Sequence, residues 1–136
     1  MGVFYYFWKI WLRMSKPEPG LPSQQCAELS TQGIVKSNRD IAEQLAKEGV
    51  EINYGTLTYM IDQYDRVVRN FICEGYTVQT NNAHFTPELS GDWSMDTLEF
   101  DTKNHTRSVK CTPSQEMQRA MSFVGVKVLG FKNSSS

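Results

Sequence analysis

The sequence predicts an α+β fold, and three observations lead there. Two amphipathic helical stretches follow one another across residues 37–75, the apolar period then shifts to two across residues 76–110, and residues 108–121 run an alternating strand straight into a capped amphipathic helix. The expected order is two N-terminal strands, two helices, three or four strands, a helix and a closing strand. Neither an internal repeat nor a Gly-rich phosphate loop interrupts it.

The first strand is expected over residues 3–13, where aromatic and β-branched side chains follow in near-unbroken succession and Lys9 and Arg13 reach outward. Such a run suits a strand buried on both faces or covered by a partner. It has no basic leading region and no small-residue cleavage site, and it is too short to span a bilayer. Pro17, Pro19, Gly20 and Pro22 make residues 14–23 a breaker-rich loop. Residues 25–30 read as a second strand that pairs back on the first as a hairpin, and Gln32 with Gly33 turns the chain onward.

Ser37 is the expected N-cap of the first helix, in which Ile41, Ala42, Leu45 and Ala46 make an apolar stripe and which Gly49 closes. Asn53 caps a longer second helix. There Leu57, Met60, Ile61, Tyr64, Val67, Val68, Phe71 and Ile72 recur at three and four until Gly75. The short connection makes the two helices an antiparallel hairpin.

Residues 76–80 and 83–87 then alternate around a turn at Asn81 and Asn82, which predicts a β-hairpin. Residues 90–94 read as a loop, and residues 97–100 and 106–110 as further strand. At the junction, Thr112 is the expected N-cap, Pro113 takes the first helical position, and Gln115 sits where a capping-box side chain folds back. Met117, Ala120 and Met121 give that helix its apolar face, and residues 124–129 add the closing strand.

At 136 residues the chain is expected to be a single domain over residues 1–131, with residues 1–33 as an N-terminal strand extension, 37–75 as the helical hairpin, 76–131 as strands, last helix and closing strand, and 132–136 as a disordered tail. Hydrophobic residues at 40% and charged residues at 21% are globular values. The net charge of −1 and a pI near 6.1 lack the electrostatic footprint of a strong, non-specific nucleic-acid binder. Cys26, Cys73 and Cys111 have no metal-ligand spacing and read as reduced thiols, small buried hydrophobes in a cytoplasmic protein.

The order of elements resembles the HU/IHF family of bacterial DNA-binding proteins. Residues 41–46, Ile-Ala-Glu-Gln-Leu-Ala, look like that family's first helix. Residues 75–78, Gly-Tyr-Thr-Val, look like the turn into its saddle, and residues 111–117 like its strand-to-helix segment built on Phe-x-Pro-Gly-Lys-x-Leu. The extra terminal strands resemble a branch of HU-like proteins, and the likeness covers residues 4–129. It implies an HU/IHF-like fold, with a helical hairpin as base and an antiparallel β-saddle whose hairpin arms hold double-stranded DNA in a homodimer, at the nucleoid.

Carried onto this chain, the resemblance makes Lys103, His105, Arg107, Lys110 and Lys127 the candidate DNA-binding residues, with Arg119 near them in sequence. Lys103, His105 and Arg107 share a parity and would form a row, or else a solvated strand face without a ligand. Arg107 and Lys110 fall on opposite faces of a regular strand. The family's Asn-Pro arm tip is missing, Ser114 and Gln115 replace its Gly and Lys, and Glu88, Asp92, Asp96, Glu99 and Asp101 face Lys103 alone over residues 88–106. Trp93 would be either an apolar wedge or a side chain packed under its loop.

Nothing nominates a nucleophile with its base, so an enzyme is not expected, nor are a cofactor, a metal at His84 or His105, a small-molecule substrate or a membrane. Asp62 and Asp65 beside Arg66 and Arg69 read as a charged outer face with local ion pairs. Two functions remain: a DNA-binding protein of HU/IHF type with low sequence specificity, architectural or regulatory, and an HU-like protein-interaction or assembly module with little DNA affinity.

Overall fold

The computed structural model describes residues 6–14, 25–96 and 98–132. Their order is β1 (Phe7–Met14), β2 (Gln25–Leu29), α1 (Asn38–Lys47), α2 (Tyr54–Cys73), β3 (Val78–Gln79), β4 (Ala83–Ser90), β5 (Thr106–Pro113), α3 (Gln115–Ser122) and β6 (Gly125–Phe131). The class is α+β, as the periodicities predict. Contacts divide the chain into two compact units, Lys36–Gln118 and Met1–Val35 together with Arg119–Ser136. Residues 3–5, the loop over residues 15–23 and the tail from residue 133 fall outside the described residues.

In the unit Lys36–Gln118, the helical hairpin starts from its caps. The Asp40 carboxylate accepts from the Ser37 N–H at 2.8 Å and from the Ser37 hydroxyl at 3.0 Å, the reach-back half of a capping box. Those two bonds hold the Asp40 carboxyl below the ordinary carboxylate range. Asn53 caps α2 by accepting from the Gly55 N–H at 2.8 Å. The same helix ends where Gly75, at φ 97°, donates to the Ile72 carbonyl while Tyr76 donates to that of Phe71.

Between the helices, Ala42 and Leu57 are the buried apolar residues among those described. A polar clamp sits beside them. Asn38 Nδ2 donates to Asp62 Oδ1 at 3.0 Å and to Asp65 Oδ2 at 2.7 Å, and Arg39 Nε donates to the Tyr54 hydroxyl at 2.9 Å. The two carboxylates therefore tie α2 to α1 and do not form the expected pairs with Arg66 and Arg69; Arg66 Nε donates instead to Gln63 Oε1 at 2.8 Å. Asparagine reaches both because residues 62 and 65 are neighbours on one helical face.

The second layer of this unit is the antiparallel sheet β3-β4-β5. Register pairs Gln79 with His84 and Val78 with Phe85 on one side of β4, and His84 with Thr112, Phe85 with Cys111 and Thr86 with Lys110 on the other. Asn81 and Asn82 form the turn, closed by a bond from the Thr80 N–H to the Ala83 carbonyl at 2.9 Å. Residues 98–100, expected as strand, carry no ladder; β4 runs straight to β5 around the intervening loop.

The junction into α3 differs by one step from its sequence expectation. Pro113 pairs with Ala83 as the last residue of β5, and the cap is Ser114, whose hydroxyl accepts from the Met117 N–H at 3.1 Å. A proline is tolerated at a strand end, and that pairing keeps residue 113 extended. Serine then supplies the capping oxygen that Thr112, paired to His84 within the ladder, cannot.

The unit Met1–Val35 with Arg119–Ser136 holds a three-stranded sheet in the order β2-β1-β6. β2 is antiparallel to β1, as expected for a hairpin, and β6 runs parallel to β1 on its other edge. Lys132, assigned from the sequence to a disordered tail, donates its N–H to the Leu12 carbonyl and pairs through Nζ with Glu28 at 3.5 Å. Cys73 and Cys111 are free and exposed, against the expectation of burial; the Cys26 side chain lies outside the description.

Candidate functional site

Directly opposed residues of an antiparallel pair point to the same side of a sheet, so the register sorts β3-β4-β5 into two faces. One carries Val78, Ala83, Phe85, Pro87, Leu89, Val109, Cys111 and Pro113, with Arg107 at its end. The helix α2 lies on this face: Tyr64 and Val68 share a groove with Phe85, and Ile72 shares another with Leu89 and Val109. The opposite face carries Gln79, His84, Thr86, Glu88, Ser90, Thr106, Ser108, Lys110 and Thr112. Every one of these is polar.

At the turn end, this polar face continues past Thr77 and Asn81 to the start of α3 at Gln115 and Glu116, forming one open groove. Ser114 pins that end. Its hydroxyl donates to the Asn81 carbonyl at 2.6 Å and its N–H donates to the Asn82 carbonyl at 3.0 Å, so two hydrogen bonds join the β3–β4 turn to the α3 N-terminus. Hydroxyl and amide side chains in such a groove suit oxygen-rich backbones such as phosphodiesters, to which they position a protein without reading sequence.

The loop between β4 and β5 closes on His105, which is 7% exposed. Its ring stacks on Trp93 at 3.9 Å between centroids and on Phe100 at 5.7 Å. Its Nδ1 accepts from the Asp101 N–H at 2.8 Å, so Nε2 carries the proton that meets the Asp92 carbonyl at 3.0 Å. A side chain at Gly91 would run into the Asn104 carbonyl and the His105 ring, so only glycine permits this approach.

The five candidate residues do not form a single row. His105 is buried with both ring nitrogens engaged, and so is corrected from a DNA-facing cation to the centre of the loop. Lys103 is exposed in the turn before β5, its N–H donating to Asp101 Oδ1. Because β5 begins only at Thr106, the shared parity of residues 103, 105 and 107 has no strand to act on. Arg107 lies over the Phe100 ring at 5.0 Å, on the α2 side of the sheet. Lys110 alone of the five stands on the polar face, and Lys127 belongs to the other unit, in register with Lys9. Trp93 packs within its loop.

Sequence reasoning missed His84, Thr86 and Thr112. The signal for His84 and Thr86 was available, because once the turn at Asn81 and Asn82 is accepted alternate residues of the two flanking strands must share a side; Thr112 needs the β4–β5 register as well.

A family model of a DNA-binding domain, designated HU, matches residues 7–131. A solved protein from Bacteroides vulgatus ATCC 8482, described provisionally as a bacterial DNA-binding protein, is similar in fold at a TM-score of 0.71 and 17% identity over 93% of this chain. The chain spans 50% of that protein's length. The curated proteins give no match.

Proposed function

The chain belongs to the HU family of DNA-binding domains, and on that premise we infer that it binds duplex DNA in the manner of HU and IHF, with little sequence preference, at the nucleoid. The observation that carries this reading is the polar face of β3-β4-β5, free of α2 and lined by Gln79, His84, Thr86, Lys110 and Thr112. Lys110 supplies the positive charge in that ladder, and the hydroxyls and amides supply neutral contacts to phosphate and sugar.

A homodimer completes the proposal. The α2 stripe leaves Met60 at 53% and Phe71 at 47% exposed although both belong to its apolar periodicity, and contiguous apolar surface of this kind marks an interface. Sedimentation equilibrium is expected to return about twice the chain mass of 15.6 kDa; a monomer at all concentrations would remove the dimer.

The functional test is charge reversal at one position. Lys110→Glu is expected to weaken binding to any short duplex by about tenfold or more, uniformly across sequences, and to flatten the salt dependence. Arg107→Ala, on the opposite side of the sheet, is expected to change affinity by less than about twofold. Wild-type affinity in Lys110→Glu would take the polar face out of the interface.

The second reading, an assembly module with little DNA affinity, draws on the net charge of −1 and on the five carboxylates of residues 88–101. It predicts no duplex binding even at low salt.

A further inference from the structure

The sheet β2-β1-β6 is amphipathic in a way the duplex-binding reading does not use. Trp8, Ile10 and Leu12 point to one side of β1, with Val126, Val128 and Phe131 in register beside them on β6. The other side follows the alternation Phe7, Lys9, Trp11, Arg13, set beside Gly125, Lys127 and Gly130 of β6 and Glu28 of β2. One face is apolar throughout, and the other alternates aromatic rings with cations.

The rings on that second face reach over the glycines of β6. An ideal Cβ at Gly125 would stand 2.5 Å from two carbons of the Phe7 ring, and one at Gly130 would stand 3.6 Å from a ring carbon of Trp11. Each ring thus lies against a glycine of the neighbouring strand; Phe7 is 62% exposed and Trp11 is half-buried. Four steps along the strand take Phe7 to Trp11, roughly 13 Å.

Between the rings stand Lys9 and Lys127, exposed and directly in register. Like charges opposed across a strand pair destabilise it, and among the described residues neither has a carboxylate partner. Glu28, the acid of this face, is taken by Arg13 at 3.8 Å and Lys132 at 3.5 Å. The face therefore presents four cations to one already paired carboxylate.

We propose that this face is a binding surface for single-stranded nucleic acid, distinct from the polar face of β3-β4-β5. Two aromatic rings flanking a lysine pair match a strand whose bases stack on Phe7 and Trp11 while two of its phosphates neutralise Lys9 and Lys127. Base–aromatic stacking needs rings with a free face, and backbone tracking needs cations aligned between them. A duplex, its bases already stacked, cannot use the rings.

The test titrates the full chain with a fluorescent oligothymidylate and, in parallel, with a random duplex. Lys9→Gln with Lys127→Gln removes two exposed charges, relieves their repulsion and leaves the packing untouched. It is expected to weaken oligothymidylate binding about tenfold and to lower the log–log salt slope by about 1.4, the value for two phosphates of a single strand. Trp11→Leu keeps an apolar cover over Gly130 and is expected to weaken oligothymidylate binding about tenfold. In each variant duplex affinity should move by less than about threefold. Several results would overturn the proposal: no binding of oligothymidylate by the wild-type chain at 50 mM salt, wild-type affinity in either variant, equal losses on duplex and single strand, or displacement of the oligonucleotide by phosphatidylglycerol vesicles at matched charge. Loss of duplex binding alone would strike the polar-face reading and leave this one standing.

Discussion

Leu57→Ala is expected to lower the stability of the chain by about 3 kcal/mol and its thermal midpoint by about 10 °C. Leu57 is 6% exposed and is the larger of the two buried apolar side chains among the described residues, the other being Ala42. It occupies the first turn of α2, one turn from the Asn53 cap, and is the buried residue of that helix as Ala42 is of α1. Truncation leaves a cavity that cannot collapse easily, because the clamp from Asn38 to Asp62 and Asp65 holds the helices at their spacing. Urea unfolding followed by circular dichroism measures the loss. A cost below about 1 kcal/mol would mean that the hairpin is not where this chain keeps its packing energy.

Ser114→Ala is the second large effect, expected at about 2 kcal/mol. Ser114 is 5% exposed and its hydroxyl makes two bonds at once, accepting from Met117 and donating to the Asn81 carbonyl. Alanine removes an N-cap, typically about 1 kcal/mol, and strips the Asn81 carbonyl of its donor, a further cost of about the same size. Ser114→Thr keeps the oxygen and should recover most of the loss. The functional consequence is local: the β3–β4 turn and the α3 start keep only the backbone bond from Ser114 to Asn82, and duplex affinity should fall with stability. If Ser114→Ala unfolds at the same urea concentration as the wild type, the pin is not what joins the two elements.

Elements were legible wherever the information is local. Ser37 and Asn53 announce helices because a cap and an amphipathic stripe lie within a few residues of each other. The turn at Asn81 and Asn82 announces a hairpin for the same reason. Pro113 shows where local reading stops: a proline after a threonine looks like the first residue of a helix, but its pairing with Ala83, thirty positions earlier, keeps it in the ladder. His105 shows the same limit at the candidate site. Counted by parity it is a cation in a row; in three dimensions the strand starts one residue later, and Trp93 and Phe100 bury its ring. Parity succeeded where a real strand exists, separating Arg107 from Lys110 onto opposite faces.

The second face of the β2-β1-β6 sheet was half visible. The alternation of Phe7, Lys9, Trp11 and Arg13 is written in the chain, but the placement of Lys127 beside Lys9 depends on a parallel pairing across more than a hundred residues. Parallel registers have no turn to announce them.

We propose that the polar face of β3-β4-β5 binds duplex DNA through its phosphates without reading sequence. A salt titration with two unrelated short duplexes tests it most directly. Log K is expected to fall linearly with log salt at about −0.9 per phosphate, a slope of at least about −2 for a dimer presenting Lys110 twice, with the two duplexes within a few-fold of each other. Absence of binding at 50 mM salt, or an affinity indifferent to salt, would contradict it.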